Sequence, residues 1–554
     1  MTPLKRFFSL LNLDRRDISQ IFFYAIVAGV ISLSLPLGIQ TIINFIQSGR
    51  VSVSWIVLVV IVVGGVALVG LMSLMQLRIT ENLQQKIFVR SSFEFAYRLP
   101  RLVSRQRHSD MYLPELANRF FDTLTIQKGV AKLLLDFSAA LLQISFGIIL
   151  LSLYHPFFIV FGLVLLLVLY LLLKVSYRPG LETSLIESKY KYRVADWLQE
   201  VARNQSTFKA PSSFRYALGK NDELVGGYLR YREKHFNVLK TQFSRLIVFK
   251  ALITAGLLLI GGFLVLDQQM NIGQFVAAEI VIIMVISSVE KIIIGFESLY
   301  DVLTAVEKIG QVTDMEMEPE ETPDVDPIPS GKLSLEVEGL RFRYPDAERD
   351  TLKNLSFRID PGEKIILRGV NGSGKTTLLR ILSGLLTPSS GSFLYQSDTF
   401  HKVDIHTYRS AIGVIVHGET PFEGTILDNI TFGDPSISAE DVRWAVDAVQ
   451  LGSYIKTLPD GLETKILPEG KQLSFSNAQK ILLARSIVRK PSMLFYEDPT
   501  DRMDTDAANA IIDFLCSKEH RWALVVVSSN NRWVQRCTRY ITMEKGKIIE
   551  DQKN

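Results

Sequence analysis

Nine consecutive residues have the types and spacing needed to hold a phosphate: Gly369-Val370-Asn371-Gly372-Ser373-Gly374-Lys375-Thr376-Thr377. Glycines at 369, 372 and 374 let the backbone turn tightly and bring its N–H groups against an anion. Lys375 is spaced to reach the outer phosphates of a nucleotide, and the Thr376 hydroxyl to hold Mg²⁺. Asn371, Ser373 and Thr377 complete the cradle. A glycine turn can match such a pattern by chance, but the flanks argue against it. Lys364-Ile365-Ile366-Leu367 reads as a short buried strand and Leu378–Leu382 as a helix, so that a helix N-terminus faces the same anion.

The elements that must position this loop occupy only the second part of the chain. At 554 residues the sequence is too long for one ordinary domain, and its 48% hydrophobic residues are clustered. A net charge of +4 gives no reason to expect a nucleic-acid partner. Two cysteines, Cys516 and Cys537, exclude a disulfide framework, fit a reducing cytoplasm and read as packing thiols.

Six apolar stretches reach or approach the length that spans a bilayer: 21–46, 53–77, 130–153, 157–176, 246–266 and 272–296. The first is too long for the core of a cleavable leader, and its Pro36 should kink the helix without ending it. Three connections are tiny, and among them only Arg50 is basic. The other two, 78–129 and 177–245, are polar and helix-compatible and carry 9 and 13 Lys/Arg. Cationic loops resist translocation, so these face the cytoplasm, together with both termini. A lipid bilayer is therefore the first partner implied. Glu279 lies within the last span, where it either faces a translocation path or is a structural residue of the bundle. Asp136, Lys250, Glu290 and Lys291 lie nearer the span ends and read as interfacial or structural. Asp314 to Ser330 has seven acids, no base and four prolines, the composition of an extended linker.

Beyond the linker, Leu333–Glu338 alternates as a strand, and Leu340-Arg341-Phe342-Arg343-Tyr344-Pro345 places an aromatic ahead of the phosphate loop. Here the chain resembles the ATP-binding cassette (ABC) transporters, in particular half-size exporters with six membrane helices fused to one cassette. The resemblance covers nearly the whole chain. It implies a multi-domain membrane protein: an all-α six-helix transmembrane domain over 1–310, a linker over 311–331, and an α/β P-loop cassette with a helical subdomain over 332–554. In that family the aromatic stacks on adenine, and Tyr344 occupies its place.

The remaining cassette motifs are in register but altered. His417 stands where the family has a glutamine that contacts Mg²⁺ and the attacking water. Leu473-Ser474-Phe475-Ser476-Asn477 stands for the signature that binds the γ-phosphate of ATP on the opposing cassette; Ser474 is kept, while Phe475 and Ser476 replace glycines. Glu497-Asp498 inverts the family's Asp-Glu pair, which holds Mg²⁺ through water and polarises the attacking water. Asp504 matches the aspartate of the loop that crosses between cassettes. Ser529 stands where a histidine senses the γ-phosphate, a contact that His417 could supply in its place. The resemblance thus implies tight ATP and Mg²⁺ binding with slow hydrolysis.

It also implies that two cassettes close around two ATPs. In a homodimer every altered motif would meet another, which favours a heterodimer with a second half-transporter. The expected function is ATP-dependent export of a protein or peptide, a lipid or a drug-like substrate. Segments Met111–Asn118 and Thr207–Tyr216, at the loop tips, are expected to transmit cassette closure to the membrane helices. The alternative is an ATP-binding, hydrolysis-poor regulatory or structural subunit. Asn271-Ile272-Gly273-Gln274-Phe275 looks like the type I secretion exporters, which would add a periplasmic adaptor; the resemblance points to a bacterial inner membrane.

Overall fold

The computed structural model describes residues 2–47, 53–103, 113–319, 333–345, 347–397 and 405–553. They fall into two compact units: residues 1–101 with 112–315, and 316–554 with the short stretch 102–111.

The first unit is helical. Its elements are α1 (Pro3–Leu13), α2 (Arg15–Ser32), α3 (Ser34–Gln47), α4 (Val53–Arg98), α5 (Leu113–Asn118), α6 (Asp122–Tyr154), α7 (Phe157–Arg203), α8 (Pro211–Leu266) and α9 (Ile272–Thr313). Among the described residues, six helical stretches are long and apolar enough to cross a membrane, with α2 and α3 counting as one. That first stretch breaks at Leu33, one turn before Pro36, because a proline at 36 cannot donate to the preceding turn. The two long polar loops are continuations of the helices. α4, α6, α7 and α8 all run past their apolar stretches, and among the described residues the rest of the two connections consists of short helical turns at 99–101, 113–121 and 207–209. Of the loop-tip segments, Thr207–Tyr216 forms a short 3₁₀ turn and the start of α8, and Leu113–Asn118 forms α5; Met111 and Tyr112 lie outside the described residues. α9 overruns the expected linker start to Thr313, no proline intervening before Pro319; residues 320–332 of the linker lie outside the described residues.

Helices in this unit meet through small residues and internal polar pairs, as bundles without a hydrophobic driving force between them must. A Cβ on Gly180 would sit 2.3 Å from the Tyr300 ring, so the close approach of α7 to α9 at that point needs glycine. Gln76 Nε2 donates to the Ile21 carbonyl at 2.9 Å, and Ser288 to Gln143 at 2.7 Å. Lys250 and Glu290 form an ion pair between α8 and α9, so both are structural, as their position near the span ends suggests. Glu279 is half-buried and makes no hydrogen bond or ion pair among the described residues.

The second unit is α/β. Its strands are β1 (Leu333–Phe342), β2 (Leu352–Ile359), β3 (Lys364–Arg368), β4 (Ser390–Ser397), β5 (Ile412–Ile415), β6 (Gly424–Thr425), β7 (Lys465–Ile466), β8 (Met493–Glu497), β9 (Ala523–Val527), β10 (Arg539–Glu544) and β11 (Lys547–Lys553). Its helices are α10 (Lys375–Leu382), α11 (Ile405–Ser410), α12 (Ile426–Thr431), α13 (Ala439–Ala448), α14 (Gly452–Thr457), α15 (Phe475–Ile487), α16 (Thr505–Cys516) and α17 (Asn531–Arg536). A six-stranded sheet runs β11-β10-β3-β9-β8-β5, parallel except for β11. An antiparallel sheet runs β2-β1-β4. The parallel strands β3, β8 and β9 are buried along almost their whole length, which is why they read as unbroken apolar runs.

Candidate functional site

Four parallel strands end on one edge of the sheet in the order β3, β9, β8, β5. Leu367 is level with Val527, and Val527 with Glu497. The loop Gly369–Thr377 follows β3, Ser529 follows β9, Glu497 and Asp498 close β8, and His417 follows β5. The carboxyl ends of parallel strands are where open α/β sheets take their ligands. Tyr344, beyond β1, reaches this edge as well: its hydroxyl lies 3.2 Å from Thr377 Oγ1. Ser474 does not; it opens α15 and has no contact with the phosphate loop among the described residues.

Local chemistry shapes the phosphate loop. Gly369, Gly372 and Gly374 adopt φ of 137°, 78° and 100°, which side chains disfavour. At Gly369 an added Cβ would also fall 2.1 Å from the Met543 carbonyl. Gly374 caps α10, whose first residue is Lys375. The Lys375 ammonium folds over the loop and donates to the carbonyls of Gly369 at 2.7 Å and Val370 at 2.9 Å. Burial lowers its pKa. A cation at the centre of a glycine-lined turn and a helix N-terminus fit a polyphosphate. Thr376 has no side-chain hydrogen bond among the described residues, so its hydroxyl is available to Mg²⁺.

The acids at the end of β8 are placed differently from each other. Glu497 is half-buried, and its Oε2 accepts from the backbone N–H of His417, tying β8 to the turn after β5. The imidazole of His417 is itself exposed. Asp498 is enclosed by protein donors. Its Oδ1 accepts from Thr500 N at 3.0 Å, Thr500 Oγ1 at 2.7 Å and Trp533 Nε1 at 3.0 Å; its Oδ2 accepts from Ser528 Oγ at 2.5 Å. Trp533 is wholly buried. Ser529, the next residue after Ser528, is exposed.

Three of these participants carry no motif. Thr500 follows Asp498 by two residues in the same turn, while Ser528 and Trp533 lie 30 and 35 residues on and are brought to it by the fold. Glu419 was also unmarked. It sits two residues beyond His417, and burial raises its carboxyl to about 6, with Arg485 opposing the rise and Glu497 adding to it.

At the start of α15, Ser474 Oγ accepts from Asn477 N at 3.2 Å as a helix N-cap, leaving its O–H free to donate. Phe475 and Ser476 have ordinary helical backbone, so replacing glycine there adds no strain. The effect is steric. The Phe475 ring is 48% exposed, with the Arg502 guanidinium 5.1 Å above it, and adds its bulk at the first residue of α15.

This arrangement recurs in known proteins. A family model for the ABC transporter transmembrane region matches residues 18–289, and one for the ABC transporter matches residues 352–501. The chain belongs to the ABC transporters. Its fold matches the structure of a bacterial Atm1-family ABC exporter with ATP bound, with a TM-score of 0.85 at 18% identity over 97% of this chain and 95% of that one. It is 29% identical over 285 residues to an ATP-dependent lipid A-core flippase of Burkholderia orbicola, covering 51% of this chain and 48% of that protein. It is 27% identical over 291 residues to the alpha-hemolysin translocation ATP-binding protein HlyB of Escherichia coli O157:H7, covering 52% and 41%. The aligned stretches thus span less than half the length of these two relatives. The chain is a multi-pass membrane protein that pairs one six-helix membrane region with one ABC cassette, the domain organisation of a half-transporter.

Proposed function

We propose that this ABC chain is one half of a dimeric exporter that uses ATP to move a substrate across a membrane. The observation that carries the reading is the pairing, in one chain, of six membrane-length helices with a phosphate loop whose glycines, lysine and threonine are all in place. Gly369–Thr377 would hold ATP with Tyr344 beside it, Thr376 and Glu497 would hold Mg²⁺, and Ser474 would contact the ATP of the opposing cassette. Bound Mg²⁺ would draw charge from the phosphates; this chain's residues position them.

Hydrolysis at this chain's own loop is slow in this reading, because the Asp498 carboxylate is already held by Thr500, Ser528 and Trp533. Positioning dominates phosphoryl transfer. A partner half-transporter with an intact cassette then supplies the faster turnover, which favours a heterodimer. Glu279, half-buried and without a protein partner among the described residues, fits a residue on the water-filled path. The substrate classes are those of the relatives' names, a lipid or a polypeptide. The setting is a bacterial inner membrane with the cassette, both termini and residues 78–129 and 177–245 in the cytoplasm.

The test is ATPase and transport activity of the purified chain, alone and with a second half-transporter, each beside Lys375→Ala. Turnover that appears only with the partner, and falls in the variant, supports the reading. Robust turnover of the chain alone would overturn the heterodimer.

A further inference from the structure

Cys516 and Cys537, read from the sequence as packing thiols, meet in the cassette. α16 ends at Cys516, and Cys537 is the C-cap residue of α17. The two helices lie side by side. Near the start of both, the Arg532 guanidinium donates to the Thr505 carbonyl at 3.4 Å. Towards the end of both, Arg536 pairs with Asp513 at 2.7 Å. One turn beyond Asp513 and one residue beyond Arg536 come the two cysteines, and the Cys537 thiol donates a hydrogen bond to the Cys516 sulfur. Cys537 is buried, while Cys516 is half-buried and so the more accessible of the two.

A cation lies beside the pair. Lys364, the first residue of β3, is 3% exposed. Its ammonium donates to the carbonyls of Trp522 at 2.6 Å and His520 at 3.3 Å, and it pairs with no carboxylate among the described residues. Burial lowers its pKa to about 8, and the two cysteines oppose the fall. A buried ammonium needs a counter-charge, and a thiolate at Cys516 supplies one. The hydrogen bond from Cys537 lowers the Cys516 thiol against burial, and Lys364 adds to the effect; the same bond, with burial, raises Cys537. A half-buried thiol with a cation and a second thiol at hand has the surroundings of a reactive cysteine with its resolving partner.

We propose that Cys516 and Cys537 are a reversible redox pair, which hydrogen peroxide converts to a disulfide and a small thiol such as glutathione restores. The Cys516 thiolate attacks one peroxide oxygen, the O–O bond breaks, and Cys516 becomes a sulfenic acid. The hydroxide that leaves takes up the proton released when Cys516 ionised. The Cys537 sulfur then displaces water from the sulfenic acid, its own proton leaving in that water. Two thiols are oxidised by two electrons, and one peroxide is reduced to two waters. The bond ties α16 to α17, the helix that supplies Trp533 to Asp498. The test treats the purified full chain with hydrogen peroxide, blocks remaining thiols with iodoacetamide, and maps unreduced peptides by mass spectrometry. A peptide linking Cys516 to Cys537 should rise at least about fivefold and vanish with dithiothreitol. Before oxidation, iodoacetamide should modify Cys516 about tenfold faster than Cys537, and Lys364→Met should narrow that difference while binding of a fluorescent ATP analogue is kept. In Cys537→Ala, dimedone should trap the sulfenic acid on Cys516. The pair is overturned if both thiols of the parent chain survive peroxide, if Cys516 stays a dimedone-reactive sulfenic acid with Cys537 present, or if the disulfide joins two chains.

Discussion

At the end of β3 the phosphate loop makes few bonds to the rest of the cassette: Gly546 N donates to the Ser373 carbonyl, while Lys375 is held by the loop's own carbonyls. At the end of β8 the second acid makes four hydrogen bonds, two to Thr500 in its own turn and two to Ser528 and Trp533 from distant parts of the chain. Both places border the same sheet edge. One keeps its charged group where a ligand can take over its bonds. The other has a carboxylate whose bonds are already part of the fold. The difference separates holding a nucleotide from cutting it, and it can be attacked at either place.

The largest expected effect is at the loop. Lys375→Ala should weaken ATP binding by about 100-fold, the loss of charge-assisted hydrogen bonds to phosphate. Equilibrium titration with a fluorescent ATP analogue measures it directly. Unchanged affinity would show that the loop is not the holding site.

At β8 the comparison predicts a loss of stability with binding retained. Asp498→Ala leaves Trp533 Nε1, Ser528 and Thr500 without their acceptor and should lower unfolding free energy by about 3 kcal/mol. ATP affinity should stay within a few-fold of the parent. A variant as stable as the parent whose turnover collapses would reverse the assignment, making Asp498 a catalytic group. Exchanging the pair, Glu497→Asp with Asp498→Glu, sharpens the contrast: turnover should rise and melting temperature fall together, because a longer side chain at 498 leaves the network.

Clearing the start of α15 should have a smaller effect. Phe475→Gly with Ser476→Gly exposes the helix N-terminus to a phosphate on the opposing cassette and should raise turnover of the assembled dimer by about tenfold. The gain should vanish in the isolated chain if each site needs a partner's signature.

These differences explain which parts of the molecule were legible in its residues. Twenty-residue apolar runs have one physical meaning, so the six spans could be read directly. The phosphate loop is a local motif whose function depends on neighbours in sequence, and it too could be read. Asp498 could not. Ser528 and Trp533 are 30 and 35 residues away and carry no motif, so its altered identity signalled a defect without showing what the carboxylate does instead. The long polar loops were readable as helix-compatible but not as direct continuations of the spans, since composition does not say where a helix stops. The early break at Leu33 followed from Pro36 in kind but not in position.

Glu419 supplies the finest probe of the β8 side, and its sign can be worked out. Its carboxyl is raised from 4.5 to about 6, chiefly by burial, so the folded cassette binds a proton more tightly than the unfolded chain does. The stabilising contribution is therefore complete below about pH 4.5 and is lost as the pH rises through about 6. Glutamine resembles the protonated form. Glu419→Gln should match the parent in acid and exceed it at neutral pH by about 1 kcal/mol, after allowance for partial exposure. Melting temperatures of the two proteins across about pH 5 to 7.5 give the test. Should Glu419→Gln melt lower than the parent at neutral pH, the Arg485 guanidinium would outweigh burial. Glu419 would then be an ionised structural partner of Arg485, and the acids next to the nucleotide edge would be more fully committed to the fold than the hydrogen bonds of Asp498 already show.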